Sequence, residues 1–137
     1  MPLRCLIQHQ APVPGTSAQP VYFPACEWLG DTGVVDHAHP LNRFVCSWLT
    51  SDVNSATRCQ EVLDALAQIA SGQRVQWFAD GDAFCVDFSA AGVQFNPSHI
   101  GPDDTAYWNQ PEGQFTHAEV ALLLRDWRDF LAQSRAR

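Results

Sequence analysis

A chain of 137 residues, 46% apolar and only 17% charged, is long enough for one domain with one core and too apolar to be disordered. Its formal charge of −7 and pI near 4.9 set its surface against nucleic acid and anionic lipid and in favour of cationic partners. No run approaches the roughly 18 apolar residues that span a bilayer, which argues against a membrane protein.

All eight basic residues are arginine, a bias of composition rather than of mechanism. The start, "MPLRCLIQHQAPVPG", has only a short apolar stretch and no signal-peptide h-region, so the chain is expected in a reducing cytoplasm. Cys5, Cys26, Cys46, Cys59 and Cys85 are odd in number, widely spaced and never arranged as Cys-x-x-Cys. They are therefore expected as free thiols, with no disulfide framework and no zinc ribbon.

In chain order, "RCLIQ" reads as an edge strand and the proline-rich "APVPGTSAQP" as loop. "VYFPACEWLGDTGVV" holds aromatic residues but two breakers, so a short strand with turns is expected. "NRFVCSWLTS" is rich in β-branched and aromatic residues and reads as a strand. Residues 1–54 thus form an irregular, strand-containing part. In "SATRCQEVLDALAQIASG", Cys59, Val62, Leu63, Leu66, Ile69 and Ala70 fall on one stripe at helical spacing, predicting a helix over 56–71. Gly72 stands where a left-handed residue would stop it.

"VQWFADGDAFCVDFSAAGVQFN" (75–96) alternates with period two. Asp80-Gly81 suits the two central positions of a type I′ turn. That turn pairs Phe78 with Ala83, Trp77 with Phe84 and Val75 with Val86. A second turn around Ala90-Ala91 sets Phe88 against Val93 and Val86 against Phe95. Both turns gather Val75, Trp77, Phe84, Val86 and Phe88 on one buried face. The long loop "NPSHIGPDDTAYWNQPEGQ" follows. Then Thr116 and Glu119 form a capping box, and Phe115 and Val120 a hydrophobic staple, opening a helix over 117–133. Its stripe is Val120, Leu123, Leu124, Trp127, Phe130 and Leu131. The expected fold is a single α+β domain over 1–137, with a helix–meander–helix core over 55–134. Its central antiparallel sheet carries both helices on the aromatic face.

Chemistry is sparse. Asp80-Gly81-Asp82 lacks the continuing carboxylates and terminal Glu of a calcium loop. It reads as a turn whose acids stay in water, with Asp87 on the face opposite Phe88 and the three acids not converging. His37 and His39, at i, i+2 beside Asp36, would present two imidazoles on one side of a strand for a transition metal, with His9, His99 or Glu27 as the third ligand, but the adjoining Pro40 favours a surface loop. No nucleophile elbow, phosphate loop or dinucleotide fingerprint occurs, so neither an enzyme nor a cofactor is expected. His117, in the first helical turn, reads as an exposed residue, and Asp126 and Asp129 as surface partners of Arg125 and Arg128. Asp103, Asp104 and Glu112 surround Tyr107 and Trp108 on the long loop; bulky aromatics beside acids suit recognition of a basic partner, the alternative being that both rings fold back to cap the core.

The run "VQWFADGDAFCVDFSAAGVQFN" followed by "GQFTHAEVALLLRDWRDFL" resembles small bacterial immunity proteins of contact-dependent growth inhibition and related polymorphic toxin systems. The resemblance covers residues 55–131. It implies function by tight binding, in which the protein occludes the active site of a cognate toxin, often a basic nuclease. The expected interface is the loop Asp103, Asp104, Tyr107, Trp108 and Glu112, joined by the hairpin acids Asp80 and Asp82. Two other readings stay open: a small metal-dependent enzyme on His37 and His39, and an interaction module with no toxin partner.

Overall fold

Hydrophobic spacing along the second half of the chain builds two long helices. A computed structural model of the chain describes residues 3–10, 14–15, 21–31, 33–101, 103 and 106–135. Helix α2 (Ala56–Ala70) is opened by Ser55, whose side chain accepts from the Arg58 N–H, and buries Cys59, Val62, Leu63, Ala65, Leu66 and Ile69. Gly72 follows it with φ +82°, the left-handed stop its position calls for. Helix α3 (His117–Arg135) begins in the expected capping box: Glu119 N–H donates to Thr116 Oγ1 at 3.1 Å, and Thr116 N–H to Glu119 Oε1 at 3.0 Å. Phe115 and Val120 are both buried in the core.

The segment expected as a strand, "NRFVCSWLTS", is helical. A π-helical turn over Leu41–Cys46 runs straight into α1 (Ser47–Asp52). The reason lies in its period: Leu41, Phe44, Val45, Trp48 and Leu49 are buried, at spacings of three and four. That spacing makes one helical stripe and overrides the β-leaning composition. Helix α1 and the turn before it seal β2 (Val21–Trp28), which pairs with β1 (Leu3–Gln10) in a two-stranded antiparallel ribbon. Cys26 N–H donates to Thr50 Oγ1, and Trp28 N–H to Asn42 Oδ1 at 2.7 Å, so helix side chains occupy the outer edge of β2. Asn42 is buried because it is satisfied: its amide also donates to the Trp28 and Asp36 carbonyls.

The second sheet has the order β3–β4–β5–β6, with β3 Gln76–Asp80, β4 Phe84–Ser89, β5 Gly92–Pro97 and β6 Gln114–Phe115. The second turn lies as expected, with Phe88 opposite Val93 and Val86 opposite Phe95. The first does not. Asp80 is opposite Cys85 and Trp77 opposite Phe88, so the chain reverses at Asp82-Ala83 rather than Asp80-Gly81. The Gly81 N–H donates to the Phe84 carbonyl at 2.9 Å and closes the turn.

The cause is Asp52 at the end of α1. Its carboxylate accepts from Ala83 N–H at 3.1 Å and Phe84 N–H at 3.0 Å. A Cβ on Gly81 would stand 2.5 Å from Asp52 Cγ, so only glycine admits this approach. With the reversal two residues further on, each partner moved by four positions (Trp77 from Phe84 to Phe88), an even number, so every side chain kept its face. Trp77, Ala79, Phe84, Val86, Phe88, Val93 and Phe95 look toward the helices, while Val75, expected in this layer, precedes β3 and is 86% exposed.

The core between the sheet and the helices is aromatic. Trp48 meets Phe95 edge-on with ring centroids 5.3 Å apart, and Phe95 meets Phe115 at 90°. Trp127 of α3 is fully buried, and its indole N–H donates to the Val53 carbonyl at 2.7 Å, tying α3 to the end of α1. Truncating a buried aromatic of this kind costs about 3–5 kcal/mol. The molecule is thus α+β, with the helices on one face of the four-stranded sheet and the other face turned outward.

Candidate functional site: the outer face of the sheet

Alternation along β3, β4 and β5 decides what the outward face carries: Gln76, Phe78 and Asp80; Cys85, Asp87 and Ser89; Gln94 and Asn96. The moved turn has a direct consequence here. Asp80, expected at a solvated tip, is a strand residue diagonal to Asp87 on the same face. The expectation that the acids diverge therefore fails for this pair, while Asp82 does lie exposed at the turn.

The long loop crosses this face and is pinned to it. Asn109 adopts φ 57°, a left-handed conformation that asparagine tolerates. Its N–H donates to Asn96 Oδ1 at 2.7 Å, and Asn96 Nδ2 returns a bond to Asn109 Oδ1 at 3.1 Å. Asn96 is 2% exposed and Asn109 exposed, so this reciprocal pair clamps the loop to the sheet from a buried anchor. Gln94 adds a bond to the Gln110 carbonyl. Held this way, Trp108 and Asn109 join Phe78, Asp80, Cys85, Asp87 and Asn96 around a groove of about 250 Å³. Phe78 is 58% exposed, unusual for a phenylalanine on a strand. Asp87 accepts from Gln76 Nε2 at 2.9 Å, an exposed bond that leaves its other oxygen available.

The remaining loop candidates separate. Tyr107, 62% exposed, and Glu112 line a second groove of about 250 Å³ with Arg43, Phe44, Phe95 and Pro97. Asp103 is exposed, and Asp104 lies outside the described residues. Of the seven expected interface residues, the fold brings Asp80 and Trp108 to one groove and Tyr107 and Glu112 to another. Phe78, Asp87, Asn96 and Asn109 were not expected.

One sequence signal points at this surface. Between Arg74 and Arg125 stand seven carboxylates (Asp80, Asp82, Asp87, Asp103, Asp104, Glu112 and Glu119) and not one arginine or lysine. The rest of the chain holds eight acids and all eight arginines, which cancel. The whole formal charge of −7 therefore belongs to the sheet, its loop and the first turn of α3. Among the described residues the ion pairs are Arg4–Glu27, Arg58–Glu61 and Arg128–Asp129, none of which touches these carboxylates.

The histidine reading meets a different geometry. Residues 36–39 form a turn, not a strand, so His37 and His39 do not share a strand face. His39 lies against Trp28 with ring centroids 4.3 Å apart and planes tilted by 32°, and its Nδ1 accepts from the Leu41 N–H. Glu27 is bound to Arg4, although it lines a shallow cavity of about 230 Å³ together with exposed His37 and Cys26. His99 is exposed, and the His9 side chain lies outside the described residues. Among the described residues no group of three or more His, Cys, Asp or Glu is placed to hold a metal ion.

His117, expected at the surface, is half-buried, with Nε2 2.6 Å from the Ser89 carbonyl. A carbonyl only accepts, so Nε2 carries the proton. This bond ties the start of α3 to the end of β4. All five cysteines are free. Burial raises the Cys5 thiol to about 12 and the Cys59 thiol to about 11. Cys26 is raised by its thiol contact with Cys46 and by burial. Cys85, on the outer face, is raised by burial and then by Asp80. Each shift leads away from the thiolate that nucleophilic chemistry uses. The outer face carries carboxylates, an exposed phenylalanine and a pinned loop. No helix among the described residues is long and apolar enough to cross a membrane. Comparison with protein-family models, curated proteins and solved structures gives no match for this chain.

Proposed function

We propose that this protein works by binding a cationic protein partner across the outer face of its four-stranded sheet, as an immunity protein that occludes a bacterial toxin domain. The observation that carries the reading is the charge distribution: the full −7 falls within residues 75–124, which hold the four-stranded sheet, its loop and the first turn of α3, with exposed Phe78 and Tyr107 and half-buried Trp108 among them. Segregated charge of one sign speeds encounter with an opposite surface and selects against other partners. Aromatic residues in that field supply the anchors that charge alone lacks. A nuclease is the partner class that fits, because a surface built to hold nucleic acid is itself cationic. The site of action is then the cytoplasm, where such a toxin meets its substrate.

Co-expression with the toxin domain encoded immediately upstream tests this. The expected result is rescue of growth and co-elution of the two chains on gel filtration. Absence of both overturns the reading. The interface is tested by D80K/D87K, which should abolish co-elution, whereas charge reversal at Asp64 on the helix layer should leave it intact.

A further inference from the structure

We infer that the groove between β3, β4 and the pinned loop is a socket for a single arginine side chain of the partner; this rests on the partner-binding reading above and names its anchor. The groove measures about 250 Å³, below the roughly 300–1,000 Å³ typical of sites for whole small molecules. It therefore suits one long side chain. Its walls are Phe78, more than half exposed, and Trp108, set in place by the Asn96–Asn109 clamp. Aromatic rings lining a groove attract a cation through their quadrupoles, and a flat guanidinium stacks on them better than an ammonium does.

The acids stand where a guanidinium would use them. Phe78 is opposite Asp87 and Asp80 opposite Cys85, so the two carboxylates lie diagonally across neighbouring strands on the same face. A guanidinium has five donors in a fixed planar fork and can divide them between two carboxylates, while an ammonium is a compact, strongly hydrated point charge. Among the described residues no arginine is paired with these two carboxylates. The nearest arginines in sequence are Arg74 and Arg125; Arg74 bonds Gln68, and Arg125 lines a groove between α2 and α3. The remaining polar atoms are already engaged: Asn96 and Asn109 bond each other, and Gln76 bonds Asp87. What the groove leaves unmatched is negative charge between aromatic walls.

The test is an NMR titration of the full chain with N-acetyl-arginine methylamide, with the lysine counterpart, and with calcium chloride. The arginine amide should shift the Trp108 indole resonance and the β3–β4 amides, and the lysine amide should do so several-fold less at equal concentration. The response should vanish in D80N/D87N and weaken several-fold in Phe78→Ala, while spectra elsewhere report an unchanged fold. An equal response to lysine, a response surviving in D80N/D87N, or a stronger response to calcium at the same residues overturns the socket. The two proposals fail separately. A partner that co-elutes undiminished with D80N/D87N removes the socket and leaves partner binding, whereas a responsive groove without any toxin partner removes the immunity reading.

Discussion

The thiols make alkaline stability a measurable property of single residues. An unfolded thiol ionises near its ordinary value of 9.0, whereas Cys59 holds its proton to about 11 and Cys5 to about 12. Between those limits the unfolded chain binds fewer protons than the folded one, so stability falls as pH rises. The contribution is complete below pH 9 and is lost as pH climbs through 11 to 12. Because the chain has no lysine, no ammonium side chain titrates across that window. The urea midpoint should therefore drop between pH 8.5 and 11, and the drop should be smaller in Cys59→Ala than in the parent. A midpoint flat with pH in the parent would refute the burial argument. The composition of the thiols was legible in the sequence; their shifts were not, because burial is a property of neighbours. His117 makes the same point: its position at the start of α3 was readable, but its bond to Ser89 needs the sheet beside it.

Among the elements, α2 and α3 were legible because each carries its own instructions. A capping residue, an apolar stripe and, for α2, a left-handed glycine all lie within the segment they specify. The β3–β4 turn does not have that autonomy. Asp80-Gly81 has the right local chemistry for a type I′ turn, yet Asp52, about thirty residues earlier, recruits the Ala83 and Phe84 N–H groups and moves the reversal to Asp82-Ala83. Asp52→Ala should cost about 2 kcal/mol, the range for hydrogen bonds to a charged group. Gly81→Ala should also destabilise, since its Cβ meets Asp52 Cγ at 2.5 Å. In the double variant the clash is gone, so the two losses should fall short of additivity by more than about 0.5 kcal/mol in a denaturation cycle. Strict additivity would show that Asp52 does not set the turn. The segment Leu41–Asp52 erred in the other direction: its composition leans to strand, but buried positions three and four apart belong to a helix.

Taken as a molecule, the protein is divided by charge. Residues 1–74 and 125–137 are formally balanced, while residues 75–124, with the sheet, its loop and the start of α3, hold the excess. If that excess drives association, partner binding must weaken with ionic strength, because the Debye length shrinks from about 10 Å at 0.1 M salt to about 3 Å at 1 M. The association rate with the toxin domain should fall at least about tenfold over that span, with a smaller change in dissociation. A rate indifferent to salt would place the energy in the aromatic anchors alone. The sequence by itself determined the long helices, the alternating faces of the meander and the confinement of net charge to residues 75–124, because each depends on spacing or counting along the chain. Only the tertiary structure decided the turn at Asp82-Ala83, the placing of Asp80 diagonal to Asp87 and the joining of Trp108 to their groove. Those depend on Asp52 and Asn96 reaching residues distant in sequence, and such reach is fixed by packing.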